Sequence, residues 1–166
     1  MDRTDKKDNK KPPEEERFHS VLVGMIDFLA KIIEYTESRG HRVVSPLVLV
    51  VGREVILKYN KHDLTKLIIK RSEEYWDGIY TKDEEFFISK ADIVFAEFKS
   101  DNVAPFKILF TAKDEKGGKL VGQDNRDALW KFIHSMVKIC IQYASKNGVI
   151  PKDKLSKHIS KWEIKM

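Results

Sequence analysis

At 166 residues, with 42% hydrophobic and 34% charged side chains and a formal net charge of +5, the chain holds the material of one domain with a charged shell. Nine Phe, five Tyr and three Trp exclude a chain disordered throughout, and no apolar run approaches the roughly 20 residues that span a membrane. A single cysteine, Cys140, excludes an internal disulfide and a cysteine-based zinc site, and with no secretory-type segment at the start the expected setting is intracellular, cytoplasmic or nuclear.

Residues 1–13 alternate charges and end in Pro12-Pro13, which reads as a disordered charged leader to a single α+β domain over 14–148. Glu14, Glu15 and Glu16 suit a first helical turn, where carboxylates oppose the positive end of the helix dipole. Phe18, Val21, Leu22, Met25, Leu29, Ile32 and Ile33 then recur at helical spacing as far as Gly40. Ile26, Phe28 and Tyr35 lie off that stripe, so the helix is apolar on more than one face.

The β-branched run Val43–Val51 reads as a strand, Gly52-Arg53 as a tight turn, and Glu54–Tyr59 as the strand pairing back. Asp63–Trp76 fits a short helix capped by Asp63, or a strand through Leu67-Ile68-Ile69; helix is preferred. From Glu85 to Val121 the pattern is that of an antiparallel meander: Phe86–Ile88, Ile93–Phe98, Phe106–Ala112 and Lys119–Val121, with turns at Ser100-Asp101-Asn102 and Asp114–Gly118. A second long helix follows an Asp124 or Asn125 cap, with Leu129, Phe132, Ile133, Met136, Val137, Cys140, Tyr143 and Ala144 on its stripe and Asn147-Gly148 at its end. Residues 149–166 form a basic amphipathic tail carrying Leu155, Ile159 and Trp162. From Lys146 onward six Lys face only Asp153 and Glu163, so most of the net charge sits there.

Three constellations carry functional expectations. The first is the apolar surplus of the two long helices: Ile26, Phe28, Trp130 and Ile141, if exposed together, form a patch that a homodimer contact would cover. The second is a mixed sheet face with Lys90, Lys99, Lys107 and Lys113 interleaved with Phe87, Phe95 and Phe98. Lysines tracking phosphates beside aromatics that stack on bases is how sheet surfaces hold single-stranded nucleic acid. Lys152, Lys154, Lys157 and Lys161 of the tail add sequence-tolerant electrostatic affinity.

The series Phe87-Ile88-Ser89-Lys90, Val94, Phe98-Lys99, Ile108-Leu109-Phe110, Asp114, Gly117-Gly118-Lys119 and Leu129-Trp130 resembles the positive-cofactor-four type of transcriptional coactivators over residues 86–145. That resemblance implies a dimer binding single-stranded or melted DNA on a curved sheet, with helices at the dimer contact and Lys90 and Lys99 facing DNA. The family's Lys-Gly-Ile run before the helix is replaced by Lys119-Leu120-Val121-Gly122.

The third constellation is Glu97-Phe98-Lys99 on an apolar strand, preceded by Asp83, the layout of magnesium-dependent nuclease cores in which carboxylates hold the cation and Lys sits beside the scissile phosphate. An acid-x-Lys triplet is equally the pattern of a surface ion pair. The five His show no paired metal-ligand spacing, and Cys140 lies on an apolar stripe, so no cofactor or metal is expected. The reading that results is a non-enzymatic, dimeric nucleic-acid-binding protein. Its alternatives are a protein-interaction module docking through apolar helix faces and a nuclease using Glu97 and Lys99.

Overall fold

The computed structural model describes residues 11–41, 45–94, 107–108 and 110–165. Seven helices order them: α1 (Glu14–Ser38), α2 (Pro46–Lys58), α3 (Lys61–Ser72), α4 (Trp76–Tyr80), α5 (Glu84–Val94), α6 (Gln123–Asn147) and α7 (Lys152–Lys161), with a 3-10 turn at Glu73–Tyr75. No strand occurs among the described residues; the only β-type contact there is one antiparallel bridge between Lys113 and Lys119. The fold is all-α, and the α+β meander expected from the sequence is corrected accordingly.

Among the described residues, the expected strands within 45–58 and 86–94 have a local reason to be helical. Over 43–51, Ser45 takes the N-cap and Pro46 the first helical position, where its fixed φ and missing N–H suit a helix start. The run beyond it turns Leu49 and Ile56 into the core at a spacing of seven, two helical turns. Over 86–94, the Asp83 side chain accepts a hydrogen bond from the Phe86 N–H (3.1 Å), and Glu84 and Glu85 occupy the first turn of α5. Phe87, Ala91 and Val94 then share its buried face. Residues 95–98 of the expected strand Ile93–Phe98, the turn at 100–102, and Val43, Val44, Phe106 and Leu109 of the other expected strands lie outside the described residues.

Residues 107–108 and 110–111 are helical, with the Ala112 N–H donating to the Ile108 carbonyl (2.7 Å). The turn at Asp114–Gly118 does form: Asp114 Oδ1 accepts from the N–H groups of Lys116 and Gly118, both at 2.9 Å, and Gly117 adopts φ +79°. Good turn chemistry here joins helices rather than long strands.

The two long helices are where the 3.6-residue period placed them. α1 and α6 run antiparallel at the centre: Glu14 meets Lys146, Arg17 meets Gln142, and Phe28 meets Phe132. Leu22, Met25, Leu29 and Ile33 of α1 and Ile133, Val137, Cys140 and Ala144 of α6 are buried along this seam. Each fully buried side chain of this size contributes about 1.5–3 kcal/mol relative to exposure. α6 ends as read, at Asn147, with Gly148 left-handed at φ +65°. Its start is at Gln123 with Gly122 as N-cap, not at Asp124 or Asn125. The α3 cap is likewise Asn60, whose side chain accepts from the Asp63 N–H (3.0 Å); Asp63 is the residue capped.

α3 packs on α1 and α6, α5 on α3 and α4, and α7 on α6, while α2 rests chiefly on α1. α7 drives Leu155, His158 and Trp162 inward, and Leu155 and Trp162 join the same apolar core as α1 and α6.

Candidate functional site

Among the described residues, α2 is the one helix whose outward face is largely apolar. Its inner face holds Leu49 and Ile56 against α1, fixed by a hydrogen bond from His19 Nε2 to the Ile56 carbonyl (3.2 Å) and by an Arg53–Asp27 ion pair (2.9 Å). The opposite arc, about 160° wide at 100° per residue, carries Leu47, Val50, Val51, Glu54, Val55, Leu57 and Lys58, all exposed. Leu47 is 67% exposed, Val50 56%, Val51 48%, Leu57 43% and Val55 40%. Scattered exposed Leu or Val residues mean little, but five on one helix face make a contiguous strip. Glu54 and Lys58 lie within it one turn apart, and neither forms an ion pair with any described residue.

The residues assigned to a dimer contact occupy other places. Ile26, Trp130 and Ile141 are buried inside the chain, and Phe28 is half-buried against Phe132 (ring centroids 5.7 Å). Seven helices give each long helix neighbours on several sides, so their second apolar faces are consumed within one copy. The patch that the dimer expectation needed does not form.

The lysine and aromatic face is also dispersed. Phe87 is buried edge-on to Trp130 and Phe110, and Lys90 Nζ lies over the rings of Tyr75 (5.2 Å) and Phe86 (5.9 Å) on α5. Lys107 is half-buried in a helical stretch and Lys113 is exposed beside the 114–118 turn. No sheet carries these positions among the described residues, and Phe95, Phe98 and Lys99 of the expected face lie outside them. Lys152, Lys154 and Lys157 are exposed on α7, whereas Lys161 pairs with Asp77 (3.1 Å) and covers Tyr80 (5.4 Å). Glu97 and Lys99, the core of the nuclease reading, lie outside the described residues; Asp83 serves as the α5 cap.

No group of three or more His, Cys, Asp or Glu placed to hold a metal occurs among the described residues. Four histidines are spent on structure. His19 and His134 bond the carbonyls of Ile56 and Ile79, His62 lies between Tyr143 and Glu15, and His158 contacts Glu73 (2.7 Å). Cys140 is buried, and desolvation pushes its thiol well above the ordinary range, which makes it a poor nucleophile.

A small, partly open pocket of about 50 Å³ lies among Met25, Tyr75, Phe86, Phe87, Met136 and Cys140. Its walls are almost wholly apolar, and it is smaller than the ~150 Å³ that accommodates a benzene ring.

Comparison with protein-family models, curated proteins and solved structures finds no match to this chain.

The signal for the α2 strip was present in the sequence. Ser45-Pro46 is a helix-start dipeptide, and reading 46–58 at a period of 3.6 instead of 2 separates Leu49 and Ile56 from the outward set.

Proposed function

We propose that the chain is a protein-interaction module without chemistry of its own, which docks an apolar helix of a protein partner along α2. The observation that carries this reading is the exposed strip Leu47, Val50, Val51, Val55 and Leu57. A grouped apolar surface of this kind is what marks the largest patch on a typical monomer, about 300–600 Å², which is often functional. Helix-to-helix docking reads apolar anchors at i, i+3 and i+4, the spacing of Leu47, Val50 and Val51.

The experiment is thiol protection. Val50→Cys places a reactive thiol on the strip, and the buried Cys140 stays silent. Maleimide labelling in the cells that make the protein is expected to be at least several-fold slower at position 50 than at an exposed control, Lys157→Cys. Equal labelling of the two sites would overturn the reading.

A narrower electrostatic reading rests on a different groove, of about 390 Å³, where Lys66 and Lys70 of α3 converge with Lys154 of α7. None of the three is paired with an acid among the described residues, and the nearby Glu73 is taken by His158. A nucleic-acid backbone fits such a groove through phosphate neutralisation. Affinity lost steeply on adding salt, and reduced by Lys66→Ala with Lys70→Ala, would support it; no binding at low salt removes it. No helix among the described residues is long and apolar enough to cross a membrane.

A further inference from the structure

We infer that the groove between the start of α1 and the last turns of α6 binds a small polyanion carrying two or three linked phosphates. None of its lining residues belongs to α2 or to the groove of Lys66, Lys70 and Lys154, so the inference goes beyond both readings above.

The groove has a volume of about 790 Å³, within the ~300–1,000 Å³ of ordinary ligand sites. Its cations come from three parts of the chain: Lys11 and Arg17 at the start of α1, Lys146 at the end of α6, and Lys165 beyond α7. Against these four stands one acid, Glu14, which leaves the lining at net +3. The neighbouring carboxylates of α1 are not part of it: Glu15 pairs with His62 (3.2 Å), and Glu16 is exposed outside the groove.

Glu14 organises this charge more than it opposes a ligand. Its residue is buried, its carboxylate accepts from Lys146 Nζ, and Arg17 Nη2 lies 3.3 Å from the same oxygen. Arg17 Nη2 also donates to Gln142 Oε1 (2.9 Å), so the guanidinium is fixed between two helices before any ligand arrives. Lys11 and Lys165 are exposed and form no ion pair with any described residue. A fixed planar fork beside mobile ammonium groups is a phosphate-binding combination.

A cleft lined by one sign of charge focuses the field and concentrates ions of the other sign. One phosphate group carries about −1.5 to −2 at neutral pH, which leaves part of the +3 unmatched; two or three linked phosphates match it. The four cations converge on one space from separate segments. That arrangement suits a compact anion better than an extended nucleic-acid backbone, which is held by cations that track along a groove.

The test is calorimetric titration of the purified full chain, at low and matched ionic strength, with orthophosphate, tripolyphosphate, a nucleoside triphosphate and a single-stranded oligonucleotide. Tripolyphosphate is expected to bind about tenfold or more tighter than orthophosphate, since it reaches at least two further cations. Lys11→Glu with Lys165→Glu turns the lining from net +3 to net −1 and is expected to abolish that preference with an unchanged helical circular-dichroism spectrum, because both side chains are exposed. Lys66→Glu with Lys70→Glu, in the other groove, is expected to leave it intact. Glu14→Gln removes the one acid and is expected to bind tripolyphosphate more tightly, a gain that a damaged fold does not imitate.

The nucleoside triphosphate separates the two sources of such a ligand. Affinity equal to that of tripolyphosphate means that the phosphates alone are read, and tighter binding means that the groove also holds the nucleoside. Equal affinity for orthophosphate and tripolyphosphate would overturn the proposal, as would equal losses from the two lysine pairs. An oligonucleotide that binds through Lys11 and Lys165 more tightly than either triphosphate would assign the groove to nucleic acid instead.

Discussion

The Glu14 carboxylate, in the first turn of α1, accepts a hydrogen bond from Lys146 Nζ in the last turn of α6, joining the ends of the two longest helices across 132 residues of chain. Arg17 approaches the same oxygen at 3.3 Å. Burial works against the charge on Glu14, but Lys146, the local backbone and Arg17 outweigh it and hold the carboxyl below its ordinary pKa. A group depressed in the folded state stabilises above its unfolded pKa, about 4.3, and that contribution is lost as pH falls through the folded value. Wild type is therefore expected to lose urea stability below about pH 4.5, and Glu14→Gln to flatten that part of the profile. At neutral pH the variant is expected to cost about 0.5–1.5 kcal/mol, the loss of one charge-assisted bond with a half-solvated lysine.

His134 predicts a separate window. Its Nε2 donates to the Ile79 carbonyl (3.0 Å), and its ring lies among Trp130, Trp162 and Tyr80. Burial is the largest influence on its titration, and it lowers the pKa; the Ile79 bond pulls the other way, and Lys82 and Lys138 lower it further. Protons then bind the unfolded chain better, so stability falls as pH drops through the unfolded histidine value, about 6.5. A lower urea midpoint at pH 5.5 than at 7.5 is expected, with His134→Gln less sensitive over the same interval. An unchanged wild-type midpoint would remove this linkage.

Close packing at Gly78 makes the third prediction. A β-carbon built there lies 2.2 Å from Cε1 of Phe86, whose ring sits edge-on to Tyr75 and under Lys90. Ala ordinarily gains about 1 kcal/mol over Gly inside a helix, whereas displacing a packed ring costs about 1–3 kcal/mol. The overlap is far inside contact distance, so the steric effect wins and Gly78→Ala destabilises. Phe86→Leu in the same chain is expected to shrink that penalty in a double-mutant cycle. A stabilised Gly78→Ala protein would show that the ring moves freely.

How far the fold was legible depended on how long a pattern ran. α1 and α6 each hold one apolar period for 25 residues, long enough for the 3.6 repeat to exclude a strand, and Gly148 marks the end of α6. The runs at 43–51, 86–88 and 93–98 are too short for periodicity to decide, and their Val, Ile and Phe content favours strands by fractions of a kcal/mol per residue, roughly, within a scale of ~1 kcal/mol. Within the described parts of these runs, Ser45-Pro46 and the Asp83 cap, with burial of Leu49, Phe87 and Val94, outweigh that preference. The strand reading also hid the candidate site, because a buried strand has a use for apolar residues on both faces and α2 does not. Conversely, Trp130 and Ile141 looked surplus only while α6 was assigned a sheet on one side; with helices around it, both sides are filled.

Asp83 separates a structural from a catalytic role. Its Oδ1 accepts the Phe86 N–H at 3.1 Å and its carbonyl accepts the Phe87 N–H at 3.0 Å, which starts α5. Removing such a cap costs about 0.5–2 kcal/mol, while Asn retains most of it because its side-chain oxygen accepts the same bond. Asp83→Ala is thus expected to lower stability by about 1 kcal/mol and Asp83→Asn to stay near wild type. A magnesium ligand behaves differently, since losing the carboxylate charge to Asn would abolish any metal-induced rise in the melting temperature. Melting wild type and both variants with and without magnesium decides between the roles. A metal-dependent rise present in wild type and absent in Asp83→Asn would return Asp83 to a catalytic site; stability that follows capping ability alone keeps it as the residue that turns the 84–94 run into a helix.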